Sequence, residues 1–204
     1  WSSLRSDWTI FNERKLLRDT YGTTSVRKLM SRFFQSIDYN LDYQTTQLER
    51  NGNTFDIPYI CHELGDLPII IVGDLTGESD IETLDKCTLD YRAKGTIRRK
   101  SPHATMLDYL NNTDNVYGIV TNGQILRIIR NTGQLVKKTY IEFDLHRMIE
   151  EDHYSEFCVL FRLLHASRFS HSGDDSCIIE QWFNMSIESG NRIRAGLSNA
   201  VQQS

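Results

Sequence analysis

The sequence predicts an α+β (α/β) domain, a mixed sheet with β-hairpins flanked by helices and followed by a C-terminal helical extension. Three observations predict it. Asn122-Gly123 separates two runs rich in β-branched residues, 116–120 and 125–129, and Asn-Gly in that setting is a strong short-range hairpin signal. Residues 67–73 (LPIIIVG) form a short, wholly apolar run, the pattern of a strand buried on both faces. The stretches before and after repeat their apolar residues at helical spacing.

In chain order, residues 7–19 (DWTIFNERKLLRD) predict a helix with Asp7 as N-cap and Trp8, Phe11 and Leu16 on one face. Tyr21-Gly22 ends it, and Thr24 or Ser25 caps a second helix over 25–37. Val26, Leu29, Met30, Phe33 and Ile37 form its apolar stripe. Residues 43–60 alternate around Asn51-Gly52 and predict a second hairpin. Residues 74–100 turn from acidic to basic with little apolar periodicity, which predicts a long surface loop. Ser101 and Pro102 then make a helix start, as N-cap and first helical residue. The hairpin at Asn122-Gly123 follows, then a third strand (TYIEF, 139–143). A short helix and a longer one occupy 144–169, with Phe157, Leu160, Phe161, Leu164 and Phe169 as the apolar stripe. After HSGDDS, residues 176–204 are helical in pattern, although Gly190 and Gly196 argue against one continuous helix. The expected organisation is a domain over 1–170 and a helical connector over 171–204.

Composition limits the function. The chain has 204 residues, 39% hydrophobic and 25% charged, an ordinary globular composition with apolar mass for a core. No run of about eighteen apolar residues is present, so no membrane partner is expected. Cys61, Cys87, Cys158 and Cys177 are widely spaced without a CxxC pair, and Cys158, within FCVLF, reads as a reduced core residue. A cytoplasmic location follows. The net charge of −4 argues against a chain wrapped in nucleic acid but leaves room for a local basic face. The opening Trp and the helical pattern running to the end predict a fragment or an ordered portion of something larger.

The element order is close to the core of the restriction-endonuclease-like fold. A metal-dependent nuclease of that kind needs an Asp on one strand and an acid and Lys two residues apart on the next. Asp56 fits the first role, but 67–73 offers only Ile, Val and Gly where the second acid should stand. Asp90 and Lys94 have the wrong spacing and read as loop charge. The six His show no HExxH spacing, and GxSxG, GxGxxG and P-loop motifs are missing. No catalytic residue and no metal ligand is therefore assigned. The candidate DNA contacts are Arg98, Arg99 and Lys100, leading into Ser101 and His103 at a helix N-terminus suited to a phosphate. Arg127 and Arg130 are expected to add to this patch from the hairpin.

The runs SPHATMLDYLN, VYGIVTNGQILRIIRN, YIEFDL, FRLLHASRF and IIEQWFNMSIESGNRIRAGL, in that order, resemble the N-terminal region of large bacterial adenine-specific DNA methyltransferases. The nearest group is the DISARM type of phage-defence systems, with the type IIG restriction-modification enzymes behind it. The resemblance spans roughly residues 58–197. It implies a longer protein that methylates adenine N6 with S-adenosylmethionine, of which this chain is an endonuclease-like N-terminal domain without nuclease activity. It implies DNA as partner, alongside other defence-system subunits, and no cofactor within this chain. The segment GDLTGESDIETLDK departs from the family, which tends to carry an Asp-Arg cluster after the apolar strand. The alternatives from the residues are a Mg²⁺-dependent nuclease domain of a restriction enzyme and a structural protein-interaction module.

Overall fold

A computed structural model of the chain describes residues 1–16, 23–73, 87–90, 100–131, 139–169 and 177–202. Two helices open it, α1 (Ser2–Leu16) and α2 (Thr23–Gln35). The short strands β1 (Asp42–Tyr43), β2 (Leu48–Arg50), β3 (Asn53–Phe55) and β4 (Tyr59–Cys61) follow, then β5 (Leu67–Ile71). A four-residue helix α3 (Cys87–Asp90) precedes α4 (Pro102–Asn111). Next come β6 (Tyr117–Thr121), β7 (Ile125–Arg130), β8 (Tyr140–Asp144), α5 (Leu145–Glu150), α6 (Tyr154–Leu164) and α7 (Ile178–Gln202).

Six strands form one mixed sheet in the order β1-β4-β5-β6-β7-β8, and β2 and β3 form a separate hairpin. The pairs are antiparallel except β5–β6, which is parallel, with α4 lying in the connection between them. Every residue of β5 is buried, as its unbroken apolar sequence requires. Side-chain alternation divides the core. Ile69, Ile71, Ile119, Leu126 and Ile128 face the side covered by α1, α2, α5, α6 and the start of α7. Ile70, Val120, Ile125 and Ile129 face the side covered by α4, with Leu89 of α3 and Phe55 of the β2–β3 hairpin.

Several sequence expectations change. Helix α1 starts at Ser2, so Asp7 is an interior residue paired with Arg32 at 2.6 Å rather than an N-cap. Its buried residues, Leu4 and Trp8, sit one helical turn apart, and that stripe begins before Asp7. Asn51 (φ 51°) and Gly52 (φ 75°) both take the left-handed region, giving the tight hairpin turn their sequence predicts. At Asn122-Gly123 only the glycine does so, at φ 83°. Side chains hold that turn: Asn122 Oδ1 accepts from the Gln124 and Ile125 amides, and Thr121 Oγ1 accepts from the Gly123 amide. Cys158 is half-buried rather than in the core, and Phe161 is exposed. Helix α7 runs unbroken through Gly190 and Gly196. Most of 74–100, including Arg98 and Arg99, lies outside the described residues. Within it α3 is anchored, because Leu89 is fully buried in the α4-side core.

Candidate functional site

The predicted patch begins where α4 begins. Ser101 takes an extended conformation and its Oγ accepts from the Ala104 amide at 3.2 Å, an N-cap with Pro102 in the first turn. The helix start is not open to solvent: Ser101 is 9% and His103 2% exposed. Lys100 is exposed and ion-paired with Asp108 of α4.

Arg127 on β7 lies beneath that helix start, only 2% exposed. Its Nε donates to Glu142 Oε2 at 2.6 Å, and its two terminal nitrogens donate to the two oxygens of Asp90 at 2.8 Å each. The guanidinium stacks over Tyr140 at 4.7 Å, and His103 lies edge-on to the same ring at 5.3 Å. Burial alone would weaken the cation, but the hydrogen bonds it donates to Asp90 and Glu142 outweigh that and raise the Arg127 pKa above its ordinary value. A guanidinium committed to two carboxylates acts as a tie, joining α3 and β8 to β7.

Arg130 belongs to a different site. It stands three residues after Arg127, and a strand sends alternate side chains to opposite faces, so the two arginines diverge. Arg130 grips Glu180 of α7 through two nitrogens, its Nε at 2.9 Å from Oε2. Tyr117 donates its hydroxyl to the same carboxylate at 2.6 Å, and the Phe183 ring covers the guanidinium at 3.9 Å. The Arg130 hydrogen bond holds the Glu180 carboxyl below its ordinary pKa, against the opposing effect of burial. Burial first, then the bond to Glu180, pushes the Tyr117 phenol up. A cavity of about 170 Å³ beside this cluster is lined by Leu67, Asn115, Tyr117, Phe169, Cys177 and Glu180.

Comparison with protein families, curated proteins and solved structures returns no match. The chemistry therefore rests on the residues. The structure sets His103, at the start of α4, 3.5 Å from Arg127 on the α4 side of the sheet and sends Arg130 to the other face. Asp56, the candidate first acid, stands three residues before β4. Neither acid nor Lys occurs on β5, and among the described residues no group of three His, Cys, Asp or Glu is placed to hold a metal ion. Sequence reasoning missed Glu142, Tyr117 and Glu180, and it read Asp90 as loop charge, whereas Asp90 ends α3 and pairs with Arg127. One signal was present: Glu142 is the direct cross-strand partner of Arg127, a pairing readable once the third strand is placed in register. Asp90 and Glu180 come from distant segments with no local pattern to reveal them.

Proposed function

We propose that this chain is the DNA- or partner-binding N-terminal domain of an adenine-specific DNA methyltransferase of a bacterial defence system, built on a restriction-endonuclease-like scaffold without nuclease residues. One observation carries the scaffold reading. Helix α2, the antiparallel strands β1, β4 and β5, the intervening α4 and the parallel strand β6 follow the order of that core, while β5 is apolar throughout. An apolar strand in that place leaves Asp56 without the acid and Lys needed to position Mg²⁺ for hydrolysis. The resemblance of residues 58–197 supports the parent enzyme. S-adenosylmethionine does not fit this chain, which has no Gly-rich loop to receive it, and belongs with a methyltransferase core elsewhere in the longer protein.

Within that reading, Arg98, Arg99 and Lys100 are the cations for DNA phosphate. Arg127 and Arg130 serve the fold, since each is already held by carboxylates. Replacing Arg98, Arg99 and Lys100 by Ala is expected to weaken duplex binding and to lower the slope of log affinity against log salt by about 1 for each phosphate no longer neutralised. An unchanged slope assigns the domain to protein contacts instead, a second reading favoured by the ion pair that already engages Lys100. Mg²⁺-dependent cleavage that disappears in Asp56→Ala would overturn the non-nuclease scaffold.

A further inference from the structure

We infer that the outer stripe of α7 is a self-association surface, on which a second copy of this chain packs antiparallel about Ser189. The inference does not depend on the DNA reading. The first turns of α7 are held by the body of the protein, through buried Ile179, the Glu180–Arg130 pair and Phe183 over Arg130. From residue 184 to residue 195 every residue is exposed except the half-buried Ser189 and Gly190. A projecting helix of this length that contains two glycines gains little from propensity and needs packing to persist in water.

The exposed residues are not scattered. At about 100° per residue, Trp182, Met185, Ser189 and Ile193 fall within an arc of about 80°. Trp182, Met185 and Ile193 are 40%, 63% and 65% exposed, and Trp182 is touched on one side by Arg168. Ile187, also exposed, lies on the far flank and takes no part.

This stripe complements itself. An antiparallel two-fold at Ser189 sets Met185 of each copy against Ile193 of the other, so the two most exposed apolar side chains of the stripe cover one another. The same operation brings Arg192 of each copy toward Glu188 of the other, so the flanking charges attract. A parallel pairing in register would place Trp182 on Trp182 and Arg192 on Arg192.

Light scattering and disulfide trapping test this. The whole chain is expected to move from monomer to dimer over the micromolar range, and Met185→Glu, at an exposed position that leaves the core untouched, to remain monomeric. In a background carrying Cys87→Ser and Cys158→Ser, Ser189→Cys is expected to form a covalent dimer under mild oxidation. Asn191→Cys, on the opposite side of the helix, is expected to stay monomeric. A monomer at every concentration, equal trapping of both cysteine variants, or dimerisation of Met185→Glu would each overturn the inference.

Discussion

Arg127 shows how a single buried charge holds distant segments in place. Its side chain is 3% exposed, while its partners Asp90 and Glu142 keep 32% and 22%. Removing the cation takes away the group that both carboxylates bond, in a site shaped for a guanidinium. Breaking a buried pair by deleting one partner costs about 3–5 kcal/mol, and the partial exposure of both acids places Arg127→Ala at about 3 kcal/mol. Urea unfolding checks the value, and adding Asp90→Asn and Glu142→Gln should recover part of the loss, because two carboxylates then no longer line the emptied guanidinium site. Recovery would show that charge rather than shape dominates the cost. His62 is the opposite case, on the surface, with Nδ1 2.6 Å from Asp66 and Nε2 3.2 Å from Asp42. The Asp66 hydrogen bond, then that of Asp42, raises its pKa. Its contribution is fully present below the ordinary histidine value, about 6.5, and is lost as pH rises through the raised folded value. NMR titration should place the His62 midpoint above that of an ordinary histidine, and Asp66→Asn should bring it down. A midpoint unmoved by that substitution would remove Asp66 as the cause.

Between elements, α4 fits closely against β6. A Cβ built on Gly118 falls within contact distance of Met106 Sδ and 2.9 Å from its Cγ, and Met106 is fully buried. Met106 has no solvent to move into, so Gly118→Ala must push α4 off the sheet or force a poor rotamer, at about 1–3 kcal/mol. Thermal unfolding of Gly118→Ala with and without Met106→Val tests this, and the smaller partner should restore stability relative to the single variant. This glycine was not legible in the sequence, where YGIV reads as an ordinary strand, because close approach depends on what crosses above it. Other elements were legible. Residues 67–71 announced a central strand because a strand buried on both faces has no polar side to alternate. The Asn51-Gly52 turn was legible because both residues tolerate left-handed backbone, which the tight hairpin demands. The start of α1 was misread because Asp7 is a good N-cap in isolation, whereas the buried stripe through Leu4 extends the helix past it. Arg127 and Arg130 do not join one patch for a simpler reason: a three-residue step along β7 sends them to opposite faces, and the strand period alone carried that information.

At the scale of the whole molecule, the sheet carries a core on each face, and α7 enters the larger one through Ile179, just after the buried Cys177. Its docking depends on a carboxylate, which makes this part of the fold sensitive to acid. Glu180 accepts from Arg130 and from the Tyr117 hydroxyl, and the Arg130 hydrogen bond lowers its pKa. A carboxyl depressed in the folded state contributes stability that is fully present above the unfolded value, about 4.3 for Glu. That contribution is lost as pH falls through the lower folded value, because the folded chain must then take up a proton on a group whose partners favour the charged form. Glu180→Gln retains an oxygen for the hydrogen bonds but removes the charge. The variant should therefore be less stable than the parent at pH 7, and the difference should shrink as pH falls below the unfolded Glu value, about 4.3, and through the lower folded value. Urea unfolding from pH 7 to pH 3, followed by the fluorescence of Trp182 in a variant with Trp1→Phe and Trp8→Phe, reads the docking of α7 directly. Two stability curves that run parallel across this range would mean that the Glu180 charge does not hold α7 to the sheet, and that Ile179 and Phe183 dock the helix by apolar contact alone.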